Sequence, residues 1–171
     1  MRKPRRQIRV KSPSMGKLDH ADLALLSALA DDPRATVVAL AERLRLSRNT
    51  VQARMTKLEK AGVFLSYERT IAAHTIGYPL QAAISVMLRQ KELPEIAPRL
   101  VEIPEIIQAY GLSGQVDLLV HVACRDARHL FEVDARILAI PGVERTETSL
   151  VMGEVIPYRL RPLMDLARQA R

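Results

Sequence analysis

Residues 44–62, LRLSRNTVQARMTKLEKAG, carry Arg45, Arg48, Arg54, Lys57 and Lys60 against a single acid, Glu59. Asn49, Thr50 and Gln52 stand among these bases. Side chains of these types have a defined chemistry with nucleic acid. Arginine reads guanine, and asparagine or glutamine reads adenine, through paired hydrogen bonds to a base edge; lysine and arginine neutralise phosphates. Stepping 100° per residue around a helix from Val51 puts Val51, Met55 and Leu58 in one narrow arc, the buried seam. Asn49, Ala53, Thr56, Lys57 and Lys60 fall on the far side, with Thr50 and Gln52 at its edges and Arg48 and Arg54 flanking the seam. A merely solvated helix mixes signs and pairs Glu with Lys four residues apart. This one hardly does. Arg48, Asn49 and Gln52 are the expected base readers, with Ser47 and Thr50 beside them at the helix start. Arg43, Arg45, Arg54, Lys57 and Lys60 are the expected phosphate contacts.

Chemistry of other kinds is not indicated. His20, His74, His121 and His129 show no metal-ligand spacing, and each reads as a surface or satisfied interior residue. No nucleophile–base arrangement, phosphate loop or convincing carboxylate pair is present, so no catalytic residue, cofactor or metal is expected. Cys124 is the only cysteine, which excludes an internal disulfide and reads as a small core residue. No apolar run approaches the roughly 20 residues of a membrane span, and the N-terminus lacks the apolar core of a signal peptide, so a cytoplasmic protein without membrane contact is expected. The net charge is +7, and Arg2, Lys3, Arg5, Arg6, Arg9, Lys11 and Lys17, with no acid among them, account for it. Residues 1–17 read as a basic disordered arm that attracts any polyanion.

Three short helices position the basic face. The first starts near Leu18, with Leu18, Ala21, Leu25, Leu26 and Leu29 at helical spacing and Asp19 and Asp22 at its positive end. The second runs from about Thr36, its N-cap, to Leu44. Ser47 caps the third, and Gly62 stops it. A tight turn between the second and third helices gives a helix-turn-helix over 18–63, whose last helix enters a DNA major groove.

Residues 64–79 alternate and carry turn signals at Gly77 and Pro79, as a wing and linker would. From Leu80 the pattern changes to strand (80–89), helix (92–103, with Pro94 acceptable in a first turn and Pro98 less so), strand (106–112), turn, strand (116–124), helix (126–140) and a long strand (143–156). The order β-α-β-β-α-β predicts a ferredoxin-like α+β sandwich over 80–158, followed by a C-terminal tail, 159–171. One sheet face packs on two helices; the other needs a cover, which dimerisation would supply.

Over residues 18–158 the chain resembles the Lrp/AsnC (feast/famine) transcriptional regulators. Leu18-Asp19, Leu46-Ser47, Val51, Arg54, Leu58-Glu59 and Gly62 match the family's N-terminal winged helix-turn-helix, SGQVDLLVHV its turn between the second and third sandwich strands, and IPGVERTETSLVMGEV its last strand. The resemblance implies a regulator of double-stranded DNA, built as a homodimer that assembles further, up to an octamer. It also implies a small effector, commonly an amino acid, held between sandwich domains of adjacent dimers. The matching effector positions are Ser113, Gly114, Gln115, Val116 and Asp117, with Ala127 after the third strand and Ser149, Leu150 and Val151 on the last. Gln115 departs from the family, where an acid is common, and brings no charge to an ammonium.

The same two-part architecture also resembles the sirohaem decarboxylases, which makes an enzyme the rival class. Such an enzyme needs histidines at a tetrapyrrole pocket and has no use for a cationic recognition face. A third reading is an interaction module with a vestigial DNA domain; the retained Arg48, Asn49, Gln52 and Lys57 speak against it.

Overall fold

The computed structural model describes residues 18–65, 70–89 and 92–170. The arm 1–17 and residues 66–69 of the expected wing lie outside them. In chain order the elements are α1 (His20–Asp31), α2 (Val37–Leu44), α3 (Arg48–Lys60), β1 (Leu80–Leu88), α4 (Leu93–Val101), β2 (Ile106–Gly111), β3 (Leu118–Cys124), α5 (Ala127–Leu138), β4 (Val143–Leu150) and α6 (Arg161–Gln169). They form two compact units: residues 18–65 join 156–170 in one, and 70–155 make the other.

The first unit is a helix-turn-helix. Leu25, Leu40, Val51 and Leu58 are its fully buried centre. Each cap is local chemistry: Asp19 accepts from the Asp22 N–H, Thr36 from Ala39, and Ser47 from Thr50. Asp19 and Asp22 complete a reciprocal capping box, so α1 starts just after the predicted boundary. Arg45 closes α2 in the left-handed conformation (φ 54°), which a side chain enters at a cost. The expected tail is different from prediction: residues 161–169 form α6, which joins α1 in this unit.

In the second unit a four-stranded antiparallel sheet of order β2-β3-β1-β4 carries α4 and α5 on one face, the ferredoxin-like arrangement. Alternation decides the faces. Ala82, Ile84, Val86 and Leu88 of β1, and Leu118, Val120, Val122 and Cys124 of β3, bury against Ile96, Leu100, Leu130, Val133 and Ile137. Gln81, Ala83, Ser85 and Met87, with Leu119, His121 and Ala123, point to the opposite face. Thr146 and Thr148 of β4 turn to the helical face and bond the Asp134 carboxylate at 3.3 and 2.9 Å. Pro98 is tolerated inside the short α4. Gly142 has φ 94°, a backbone conformation that a side chain enters only with strain, so glycine suits this turn.

Two expectations need correction. β4 ends at Leu150, not 156. Its partner β1 begins at Leu80, so after Val151 N–H bonds Gln81 O no further partner strand remains. Between 63 and 79, no strand forms among the described residues; a 3-10 turn, Ala73–Ile76, ends at Gly77 instead.

Candidate nucleic-acid interface and effector turn

The cap of α3 starts the candidate interface. Ser47 Oγ accepts from Thr50 N–H at 3.1 Å and lies 2.8 Å from Thr50 Oγ1, so both hydroxyls are engaged in holding the helix start. Burial of Val51 and Leu58 then sets the rotation of α3 and leaves Arg48, Asn49, Gln52 and Ala53 exposed on the first two turns. Among the described residues, the side chains of Arg48, Asn49 and Gln52 take no intramolecular partner. Arg45 is exposed in the turn just before them.

Arg54 requires a correction. Its guanidinium does not face outward as a spare phosphate contact: Nη1 lies 2.8 and 2.7 Å from the two oxygens of Asp19 and 2.7 Å from Asp22 Oδ1. Lys57 Nζ is 2.9 Å from Asp22 Oδ2, yet its side chain stays 59% exposed. The two capping-box acids of α1 thus supply the compensation that α3 lacks within its own sequence. Burial alone would raise the carboxyl of the fully buried Asp22, but hydrogen bonds from Lys57, Arg54 and the Asp19 N–H outweigh it and hold the pKa below the usual range. The Arg54 hydrogen bond lowers Asp19, and the same acids raise Arg54. Arg43 is likewise paired, with Asp31 at the end of α1. Arg54 therefore fixes α3 against α1, while Lys57 and Arg43 share their charge between protein and solvent.

The turn 112–117 joins β2 to β3. Gly114 has φ 135°, and Leu112 N–H bonds Asp117 O at 2.8 Å. Ser113, Gly114 and Gln115 are exposed, with Val116 and Asp117 partly covered. Asp117 is committed to the fold: its Oδ2 accepts from Leu88 N–H at 2.9 Å. Ala127, Ser149, Leu150 and Val151 are not brought to this turn. Val86 pairs with Leu118 at the turn end of the sheet, whereas Leu80 pairs with Cys124 and Ala82 with Leu150 at the other. Along β1 the Val86 rung lies about 13 Å from the Ala82 rung and about 20 Å from the Leu80 rung. Within one chain the predicted effector residues form two groups.

Residues 18–64 match the family model for winged helix-turn-helix DNA-binding domains, and residues 81–160 match that for the Lrp/AsnC ligand binding domain. The regulator AldR of Mycolicibacterium smegmatis is 34% identical over 138 residues, 78% of this chain and 81% of its own. The chain belongs to the Lrp/AsnC family. Its fold is close to that of E. coli AsnC (TM-score 0.76, 26% identity, covering 84% of this chain and 98% of that one). A Neisseria meningitidis regulator solved in complex with L-Met gives a TM-score of 0.73 at 28% identity, covering 85% and 99%. As a Lrp/AsnC protein, the chain is a DNA-binding transcriptional regulator with a ligand-binding domain, and not an enzyme. Among the described residues, no helix is long and apolar enough to cross a membrane.

In this Lrp/AsnC chain His129 is a satisfied interior residue. The Arg125 N–H donates to Nδ1 at 3.2 Å, so Nε2 carries the proton and donates to Glu105 at 2.9 Å. Arg136 pairs with the other Glu105 oxygen at 2.6 Å. Sequence reasoning missed this cluster and the Asp19–Asp22 partnership. The only signal was acids at positions without a sequence-local partner. Cys124 is buried in the core, where desolvation pushes its thiol pKa up.

Proposed function

We propose that the protein is a cytoplasmic regulator that binds a palindromic double-stranded DNA site as a homodimer, assembling further, up to an octamer. A small effector, an amino acid, binds between sandwich domains of different subunits and shifts the assembly toward one spacing of the DNA modules. The observation that carries the DNA reading is the exposed, uncommitted trio Arg48, Asn49 and Gln52 on the first turns of α3. Among the described residues of the sandwich unit, both α4 and α5 pack on the face opposite Ala83, Ser85, Met87, Leu119 and His121, which supports pairing through the face these residues form. Leu118, at the end of the turn, stands on the Val86 rung and Ser149 and Leu150 on the Ala83 and Ala82 rungs, about 10–13 Å away along β1, which supports a pocket that takes its walls from more than one subunit. The exposed turn with Gly114 offers backbone N–H groups that suit a carboxylate. Gln115 adds an amide but no charge.

Fluorescence anisotropy with the DNA upstream of the protein's own gene, against scrambled DNA across a salt series, tests this. A cognate preference that survives near-physiological salt supports the reading. Adding each amino acid then reveals the effector as a change in cognate affinity. Absence of any DNA binding at low salt refutes it.

A further inference from the structure

We propose that α6 is a second anchor for the DNA-binding unit, and that Arg161 is the positioning residue that makes the protein selective for the spacing of its two DNA half-sites. The inference rests on the dimeric DNA-binding reading above and deepens it.

Both family matches end before Arg161, at residues 64 and 160, so α6 lies beyond what the chain shares with those models. Yet α6 is part of the DNA-binding unit. Arg161 Nη1 donates to the Ser27 carbonyl at 3.2 Å and pairs with Asp31; its Nε lies 3.6 Å from Asp165 one turn on, which keeps the guanidinium aimed at α1. The burial pattern is the reverse of an ordinary surface helix. Arg161, Met164, Asp165 and Arg168 are half-buried, while Leu163 and Leu166 are each 60% exposed. Docking therefore relies on directed ionic contacts rather than on leucine burial. Such contacts fix one orientation better than a greasy face does, and they weaken with salt.

The consequence follows from chain connectivity. The chain leaves the DNA-binding unit after α3 and re-enters it through the exposed, irregular stretch 151–160 that ends on α6. A module held by one flexible connection samples a broad range of positions, so its effective concentration at a second half-site falls slowly with spacing. A second connection, attached elsewhere on the same unit, removes rotations that the first permits. Spacing selectivity is then sharp while α6 is docked and broad when it is not.

The test uses full-length protein and the best site recovered by selection from random-sequence DNA. The half-sites are then moved apart in single base-pair steps through one helical turn, about 10 base pairs. Wild-type affinity is expected to drop at least about tenfold out of phase. Arg161→Ala should keep affinity within about twofold at the best spacing and flatten the rest to under about threefold. Arg161→Lys should restore the profile in part. Hydrogen exchange in the same samples should quicken across 161–169 and stay unchanged across 20–31. An unchanged profile in Arg161→Ala overturns the proposal. So does an equal loss at every spacing, or lost protection in 20–31, since either result means mere support of α1. Wild-type protein that prefers the selected site but ignores spacing refutes the anchor alone. Wild-type protein with no preference over scrambled DNA refutes the regulator reading and the anchor with it.

Discussion

Asp22→Asn should separate folding from DNA attraction in the N-terminal unit. The Asp22 carboxylate is fully buried and accepts from Arg54 at 2.7 Å, Lys57 at 2.9 Å and the Asp19 N–H at 3.2 Å. A hydrogen bond to a charged group contributes about 1.5–3 kcal/mol. Both cations are partly exposed, 25% for Arg54 and 59% for Lys57, so water recovers part of each loss. The expected net destabilisation is about 2–3 kcal/mol, read by urea unfolding. DNA attraction should move the opposite way. Lys57, and Arg54 in part, are released toward phosphates, so the slope of log K against log salt should steepen by about 1–2. Since the folded pKa of Asp22 is depressed, its stabilisation is fully present above the ordinary value of about 3.9 and is lost as pH falls through the folded value. The gap between wild type and variant should therefore narrow below about pH 4. Lost stability with an unchanged salt slope would refute the idea that Asp22 holds back cations facing DNA. Unchanged stability would refute the energetic account of the cluster.

Asn49→Ala should weaken cognate binding by about 1–3 kcal/mol and leave scrambled-DNA binding nearly unchanged in the same anisotropy assay. Arg45→Gly relieves the left-handed strain and should raise thermal stability by about 1 kcal/mol, while lowering DNA affinity through the lost cation. Gln115→Ala should alter effector response without changing basal DNA affinity or unfolding. Asp117→Ala should lower the stability of the sandwich unit by about 1–3 kcal/mol as well, because Leu88 N–H loses its acceptor; an unfolding midpoint equal to wild type would count against that.

Helix starts and stops were legible because they are short-range chemistry. Ser47 before Thr50 and Thr36 before Ala39 each satisfy an orphan N–H three residues on, while the reciprocal Asp19–Asp22 box was read only as acids at the helix's positive end. The alternation in residues 80–88 and 118–124 fixed which side chains face the helices, because a strand has period two whatever it pairs with. The exposure of Asn49 and Ala53 followed from the Val51–Leu58 seam by helix geometry alone, whereas Arg48 and Arg54, which flank that seam, were told apart only by packing. Where a side chain's partner lies far along the chain, the sequence was silent. Arg54 meets acids more than 30 residues away, so charge counting within α3 mistook an internal tie for a phosphate contact. The length of β4 depended on where β1 begins, since a strand extends only as far as its neighbour can bond it. The tail became a docked helix because α1 offers Asp31 and the Ser27 carbonyl to Arg161. The effector residues divided into two distant groups because antiparallel pairing sends the turn 113–117 and residues 149–151 to opposite ends of one sheet. Local backbone chemistry thus wrote the elements and their faces into the sequence; the pairing of charges and the meeting of distant segments were decided only by tertiary packing, which brings together groups that no periodicity relates.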